Sequence, residues 1–175
     1  GKARPLWARS GWLPLPALSK RAYDLGFLDS TDSVERTPMI ERYGEKNVKS
    51  LYTAALELAL GKPARFDTPG VMKIGHQQIA LDQAAMAKVR LPAADKLEAY
   101  SFLDLIHGKV DAAALADRVV ILGYDGAKME ENVTPMGKVK GHRLFVHQLG
   151  ALYAELHDGA GQEVPVAGAR SVGPI

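Results

Sequence analysis

"DRVVILGYDG", Asp117–Gly126, decides how the rest of the chain is read. Its apolar run, Val119 to Leu122, shows no polar alternation and ends in a turn. That pattern predicts a central strand covered by helices on both faces. In such a strand Ile121→Ala is expected to cost about 2–5 kcal/mol. The glycines raise a second question, because a nucleotide-gripping loop also follows a strand. A dinucleotide fold needs G-x-G-x-x-G opening into a helix, and a P-loop needs G-x-x-x-x-G-K-[ST]. "GYDGAKMEENVTP", Gly123–Pro135, supplies neither. The reading that remains is a core strand followed by a polar loop, a common place for ligand contacts in α/β folds.

Composition narrows the function classes. The chain has 175 residues, 47% hydrophobic and 24% charged, which suits one globular domain with a sizeable core. A formal net charge of +2 falls short of the concentrated basic surface that nucleic-acid binding requires. No cysteine is present, which excludes disulfides, thiolate nucleophiles and cysteine-ligated metals and fits an oxidising compartment. No apolar run approaches the roughly 18 residues of a membrane span, and no signal peptide opens the chain, so a soluble chain is expected.

Working outward, residues 1–16 hold two tryptophans and three prolines and predict an irregular arm. "ALSKRAYDLG", Ala17–Gly26, reads as a short helix with a glycine stop. "FLDSTDSVERTPMIERYG" offers two extended runs around a polar turn at Asp29–Ser33. "NVKSLYTAALELALG" spaces Val48, Leu51, Tyr52, Ala55 and Ala59 as a helix with Asn47 as cap and Gly61 as stop. Val71 to Leu91 reads as a small antiparallel meander, and "YSFLDLIHG" as a short helix ending at Gly108. The last helix runs from about His142 to His157 with Phe145, Leu149, Leu152, Tyr153 and Leu156 on one face. The expected fold is α/β, a mixed sheet flanked by helices, over residues 17–158. A glycine-rich, proline-bearing tail, 159–175, follows it.

The order of these segments resembles the CHASE2 family, extracytoplasmic sensor domains of bacterial histidine kinases, nucleotide cyclases and serine/threonine kinases. The resemblance covers roughly Leu13 to Leu156. It rests on Ser101 and Phe102 opening a helix, Gly108, the Val119–Gly123 strand, Thr134-Pro135, and Gly141 and His147 at the last helix. Upstream it rests on "LPALSKRAYDLGFLDSTDSVERTPMI" and "SLYTAALELALG". The family carries an aspartate shortly before Thr-Pro, where this chain has Glu130, Glu131 and Asn132. The family pattern also begins upstream with a strand and helix, so the resemblance implies a sensor domain missing its N-terminal portion. It further implies a periplasmic location, adjoining membrane spans in a parent protein, and dimeric signalling.

The candidate site gathers at the last helix start. Lys138, Lys140, His142 and Arg143 sit where the helix macrodipole is already positive, which asks for an anion. An anionic ligand is therefore expected beside Lys140, His142 and Arg143, with Tyr124 and Lys128 lining the approach. The competing reading is a solvated basic loop, which is favoured because salt screens such charges. His147 is read as a packed, hydrogen-bonded histidine ahead of a ligand contact. Thr134 and Pro135 are read as a turn fixing the loop's exit, and Asp125-Gly126 as a turn dipeptide. His142 and His147 are five apart, a spacing that disfavours a metal pair. The turn carrying Asp29, Asp32 and Glu35 is read as solvated ahead of cation-binding. Met129, Met136 and Trp12 are read as core or interface.

No catalytic signature or compact carboxylate pair is present, so no catalytic residue, metal or cofactor is expected. The expected function is a ligand- or partner-sensing module. The alternatives are a small hydrolase or transferase using the 123–135 loop, or a structural dimerisation module. The aromatic, proline-rich arm predicts self-association into a homodimer.

Overall fold

A computed structural model describes residues 5–8, 11, 14–29 and 31–158. The chain folds as an α/β domain in which two helices, α2 (Leu51–Leu60) and α4 (Gly141–Asp158), pack over small sheets. Strand β1 (Trp7–Ala8) lies parallel to β3 (Ile40–Tyr43), which forms an antiparallel hairpin with β4 (Lys46–Lys49). Strand β2 (Arg36–Pro38) pairs antiparallel with β8 (Met86–Lys88), Arg36 opposite Lys88. Strands β5 (Ala64–Arg65), β6 (Val71–Ile74) and β7 (Gln77–Ala80) form a three-stranded antiparallel sheet. A hairpin of β9 (Glu131–Thr134) and β10 (Gly137–Lys140) leads directly into α4.

The α4 sequence explains its packing. Leu144, Phe145, Leu149, Leu152 and Leu156 recur at three- and four-residue spacing and are all buried, whereas Tyr153, expected on that face, is 40% exposed. Helix α2 buries Tyr52, Thr53, Ala55 and Leu56. Its stripe therefore turns away from Leu51 and Ala59, and Val48 belongs to β4. The cap is Ser50 rather than Asn47: its hydroxyl accepts from the Thr53 N–H at 3.1 Å. Asn47 is held in the β3–β4 ladder, so the helix begins one turn later than expected. Gly61 ends the helix in the left-handed region at φ 63°.

Met39 pins the sheets to α2. It is fully buried between β2 and β3; its N–H donates to Ala85 O at 3.2 Å, and its carbonyl accepts from Ser50 N–H at 3.1 Å and the Thr53 hydroxyl at 2.6 Å. Ser50 and Thr53 are fully buried and satisfied by these bonds, so their burial carries no orphan cost.

Several expectations are corrected. Val119–Leu122 is not a strand, and Val119, Val120 and Leu122 are exposed. A central strand needs a ladder on each edge, and none of β1 to β10 pairs with this segment; only Ile121 turns partly onto the core. The Ile121→Ala cost expected of a doubly covered strand therefore does not apply. The helix expected over 17–26 is the single turn α1 (Pro16–Ser19), with no buried residue to hold a longer one. Ahead of the Asp29–Ser33 turn, among the described residues, Phe27 makes a single bridge with Ser50 instead of a strand. The arm includes β1, and residues 131–134 of the expected loop form β9. The meander's last strand leaves β7 for β2 after one Leu81–Ala87 bridge. The helix at "YSFLDLIHG" is α3 (Phe102–Ile106), followed by Gly108 at φ 69°. Trp12, most of the arm before it and the 159–175 tail lie outside the described residues.

Leu152 and Leu122 make a matched pair for testing this core. Leu152→Ala, at a fully buried position, should lower the urea-unfolding free energy by about 2–5 kcal/mol. Leu122→Ala should stay within about 0.5 kcal/mol of the parent.

Candidate functional site

A cleft of about 520 Å³ opens beside the first turns of α4. One wall is the 28–34 loop with Arg36 and Pro38 of β2; the other is the Ile121–Gly123 stretch with Met129 and Asn132. Leu51 and Tyr52 of α2 and His142, Leu144, Phe145 and Gln148 of α4 close the bottom. Most of these groups are apolar, with a few polar ones set among them. That is the usual make-up of a small-molecule site.

The floor is fixed by a buried relay. The Tyr52 hydroxyl donates to Gln148 Oε1 at 2.5 Å, and Gln148 Nε2 donates to the Val34 carbonyl at 2.8 Å. Burial pushes the Tyr52 hydroxyl well above its ordinary range, so it remains a protonated donor. The Tyr52 ring also stacks on Phe145 at 4.4 Å between centroids, tilted by 31°. The rim is held by ions: Arg36 donates to Asp82 Oδ2 at 2.5 Å and to Asp32 Oδ1 at 3.2 Å. The acidic turn thus serves Arg36 through Asp32, while Asp29 faces the cleft.

The basic cluster expected to hold an anion is divided between two carboxylates of the protein itself. Arg143 grips Asp95 in bidentate fashion, Nε to Oδ2 at 2.5 Å and Nη2 to Oδ1 at 2.8 Å, and also donates to the Leu97 carbonyl at 3.2 Å. His147, buried, places Nε2 at 3.0 Å from Asp95 Oδ1. The Arg143 guanidinium, helped by His147, holds the Asp95 carboxyl far below its ordinary value. Lys140 Nζ lies 2.8 Å from Asp125 Oδ1 and donates to the Asp125 carbonyl at 3.0 Å; His142 Nε2 is 3.8 Å from the same carboxylate. Lys140 lowers the Asp125 carboxyl as well.

The seven expected site residues therefore do not converge. His142 alone lines the cleft, and its Nδ1 is buried with no hydrogen-bond partner among the described residues. Gly123 packs against that ring so closely that an added Cβ would sit 2.5 Å from His142 Cβ. Thr134 serves the hairpin turn, accepting from the Met136 N–H at 3.1 Å and donating to the Gly137 carbonyl at 2.8 Å. Tyr124 folds over Gly126, and Lys128 is exposed. Of the residues read as core or interface, Met136 packs on the core and Met129 lines the cleft. Sequence reading missed Asp95, Tyr52, Gln148 and Arg36. Asp95 sits in "LPAADKLEAY", which has no period or motif to mark it, and its partners are 48 and 52 residues away.

Among the described residues no group of three or more metal-ligating side chains is assembled, and no helix is long and apolar enough to cross a membrane. No family model, curated protein or solved structure matches the chain.

Asp95 carries a pH dependence whose sign follows from its depressed value. Its contribution to stability is complete above the ordinary aspartate value of about 3.9 and is lost as pH falls toward the lower folded-state value. Asp95→Asn should cost about 1.5–3 kcal/mol at neutral pH, the range for hydrogen bonds to a charged group. In acid titrations of unfolding free energy, the variant should lose less stability than the parent below about pH 4.

Proposed function

We propose that the chain is a ligand-sensing domain from the extracytoplasmic, periplasmic side of a bacterial membrane signalling protein. The parent class is a histidine kinase, nucleotide cyclase or serine/threonine kinase whose membrane spans adjoin this region. The order of segments from Leu13 to Leu156 supports the family part of this reading. The observation that carries the ligand part is the cleft, whose 520 Å³ falls within the roughly 300–1,000 Å³ of small-molecule sites.

The cleft's position suits a sensor. Its walls belong to separate parts of the chain: the 28–34 loop, α2, the 121–129 stretch and α4. A ligand that touches all four favours the arrangement in which they are close, and differential affinity for two arrangements is what a signal requires. Tyr52, Gln148 and Val34 join three of those parts, so a shift at the cleft reaches the interface of α2 and α4.

Thermal melting against a panel of small carboxylates, amines, alcohols and aromatics tests the proposal. A true ligand at about 100 times its Kd should stabilise the chain by about 2.7 kcal/mol. Leu51→Trp, which puts an indole at the cleft's bottom from a part-exposed position, should fold and lose that stabilisation. A parent sequence without apolar spans beside this region would overturn the membrane-sensor reading. Catalytic turnover of a panel member would favour the enzyme alternative.

A further inference from the structure

Val119–Tyr124 is a run of backbone with no ladder. Among the described residues none of its N–H or C=O groups takes part in a hydrogen bond. Its side chains are apolar and turned to water: Val119 is 43% exposed, Val120 54% and Leu122 74%. Ile121 alone packs partly on the core, which anchors the run against the domain. Such a stretch, rich in β-branched residues and carrying unused donors and acceptors, is a template on which another strand can form.

We infer that the chain self-associates by antiparallel pairing of Val119–Leu122 with the same segment of a second copy. The occupant must bring periodic N–H and C=O groups together with apolar side chains, which a small molecule lacks and this segment possesses. A register with Val119 opposite Leu122 and Val120 opposite Ile121 gives every position an apolar partner. The same register sets Arg118 opposite Gly123, so no like charges meet. It is also its own image under a two-fold axis, so one contact satisfies both copies and closes the assembly as a dimer. Val119 and Val120 lie outside the cleft, whereas Ile121 and Leu122 belong to its wall, so the paired segment adjoins the ligand site proposed above and substitutions at 119 and 120 leave the cleft's own residues in place.

Sedimentation equilibrium of the whole chain over a concentration series tests the inference. The parent should pass from monomer to dimer mass as concentration rises. Val120→Pro, which removes a ladder N–H, and Val119→Lys, which places charge in the seam, should each weaken association at least about tenfold. Both positions are exposed, so unchanged far-UV circular dichroism and melting should accompany the loss. Amide exchange at residues 119–122 should slow only where the dimer forms. A mass that stays monomeric throughout overturns the inference, as does a dimer that both substitutions leave intact, the result expected if the N-terminal arm were the interface. Ligand stabilisation measured on the monomeric variants reports on the sensor proposal separately.

Discussion

The bond from the Tyr52 hydroxyl to Gln148, continued from Gln148 to the Val34 carbonyl, ties α2, α4 and the 31–35 loop into one unit. The Tyr52 and Gln148 side chains are buried, and there an amide left without its partner costs about 1–3 kcal/mol. The helices could slide against each other on leucines alone, since apolar contact has no direction. The relay gives it one. Phe145 stacks on the same ring that donates the hydrogen bond, so ring position and helix position are set together. All three residues of the relay line the cleft. The Met39 junction does the corresponding work on the other side of α2.

Electrostatics at the start of α4 follow a similar economy. Lys140, His142 and Arg143 at a helix N-terminus are unfavourable by themselves, because the macrodipole is positive there. Asp125 and Asp95 relieve them, each from a segment with no regular structure. These pairs therefore hold two irregular stretches, around residues 95 and 125, against a regular element. Neutralised in this way, the α4 start is less attractive to anions than its composition suggests, and the cleft beside it is mainly apolar.

Features that depend on near neighbours were legible in the sequence. Helix α4 follows its leucine spacing, the stops at Gly61 and Gly108 adopt positive φ, and "VMKIGHQQIA" makes the β6–β7 hairpin. His147, on the stripe of α4 that also carries Arg143 and opposite its apolar face, is legible as a packed, hydrogen-bonded histidine, and it is buried against Asp95. What failed required knowledge of distant partners. Val119–Leu122 has the composition of a central strand, yet composition cannot supply the strands that must flank it. Asn47 and Ser50 are both good caps; the β3–β4 ladder, not local preference, decides between them. Asp95 has no distinguishing neighbours, and only the fold brings Arg143 and His147 to it.

Helix α4 follows every other described element in the chain, yet it packs against α2, β7, β9 and β10 and completes the core they share. Its Gln148 binds partners 96 and 114 residues earlier. On a ribosome the chain emerges from its N-terminus, so Met39, Leu56, Met72 and Ile79 leave the exit tunnel long before Leu149, Leu152 and Leu156 can cover them. Loop closure over such separations is slow compared with local helix or hairpin formation. The nascent domain thus carries part of its core uncovered until α4 has emerged, and the core can close only from that point on.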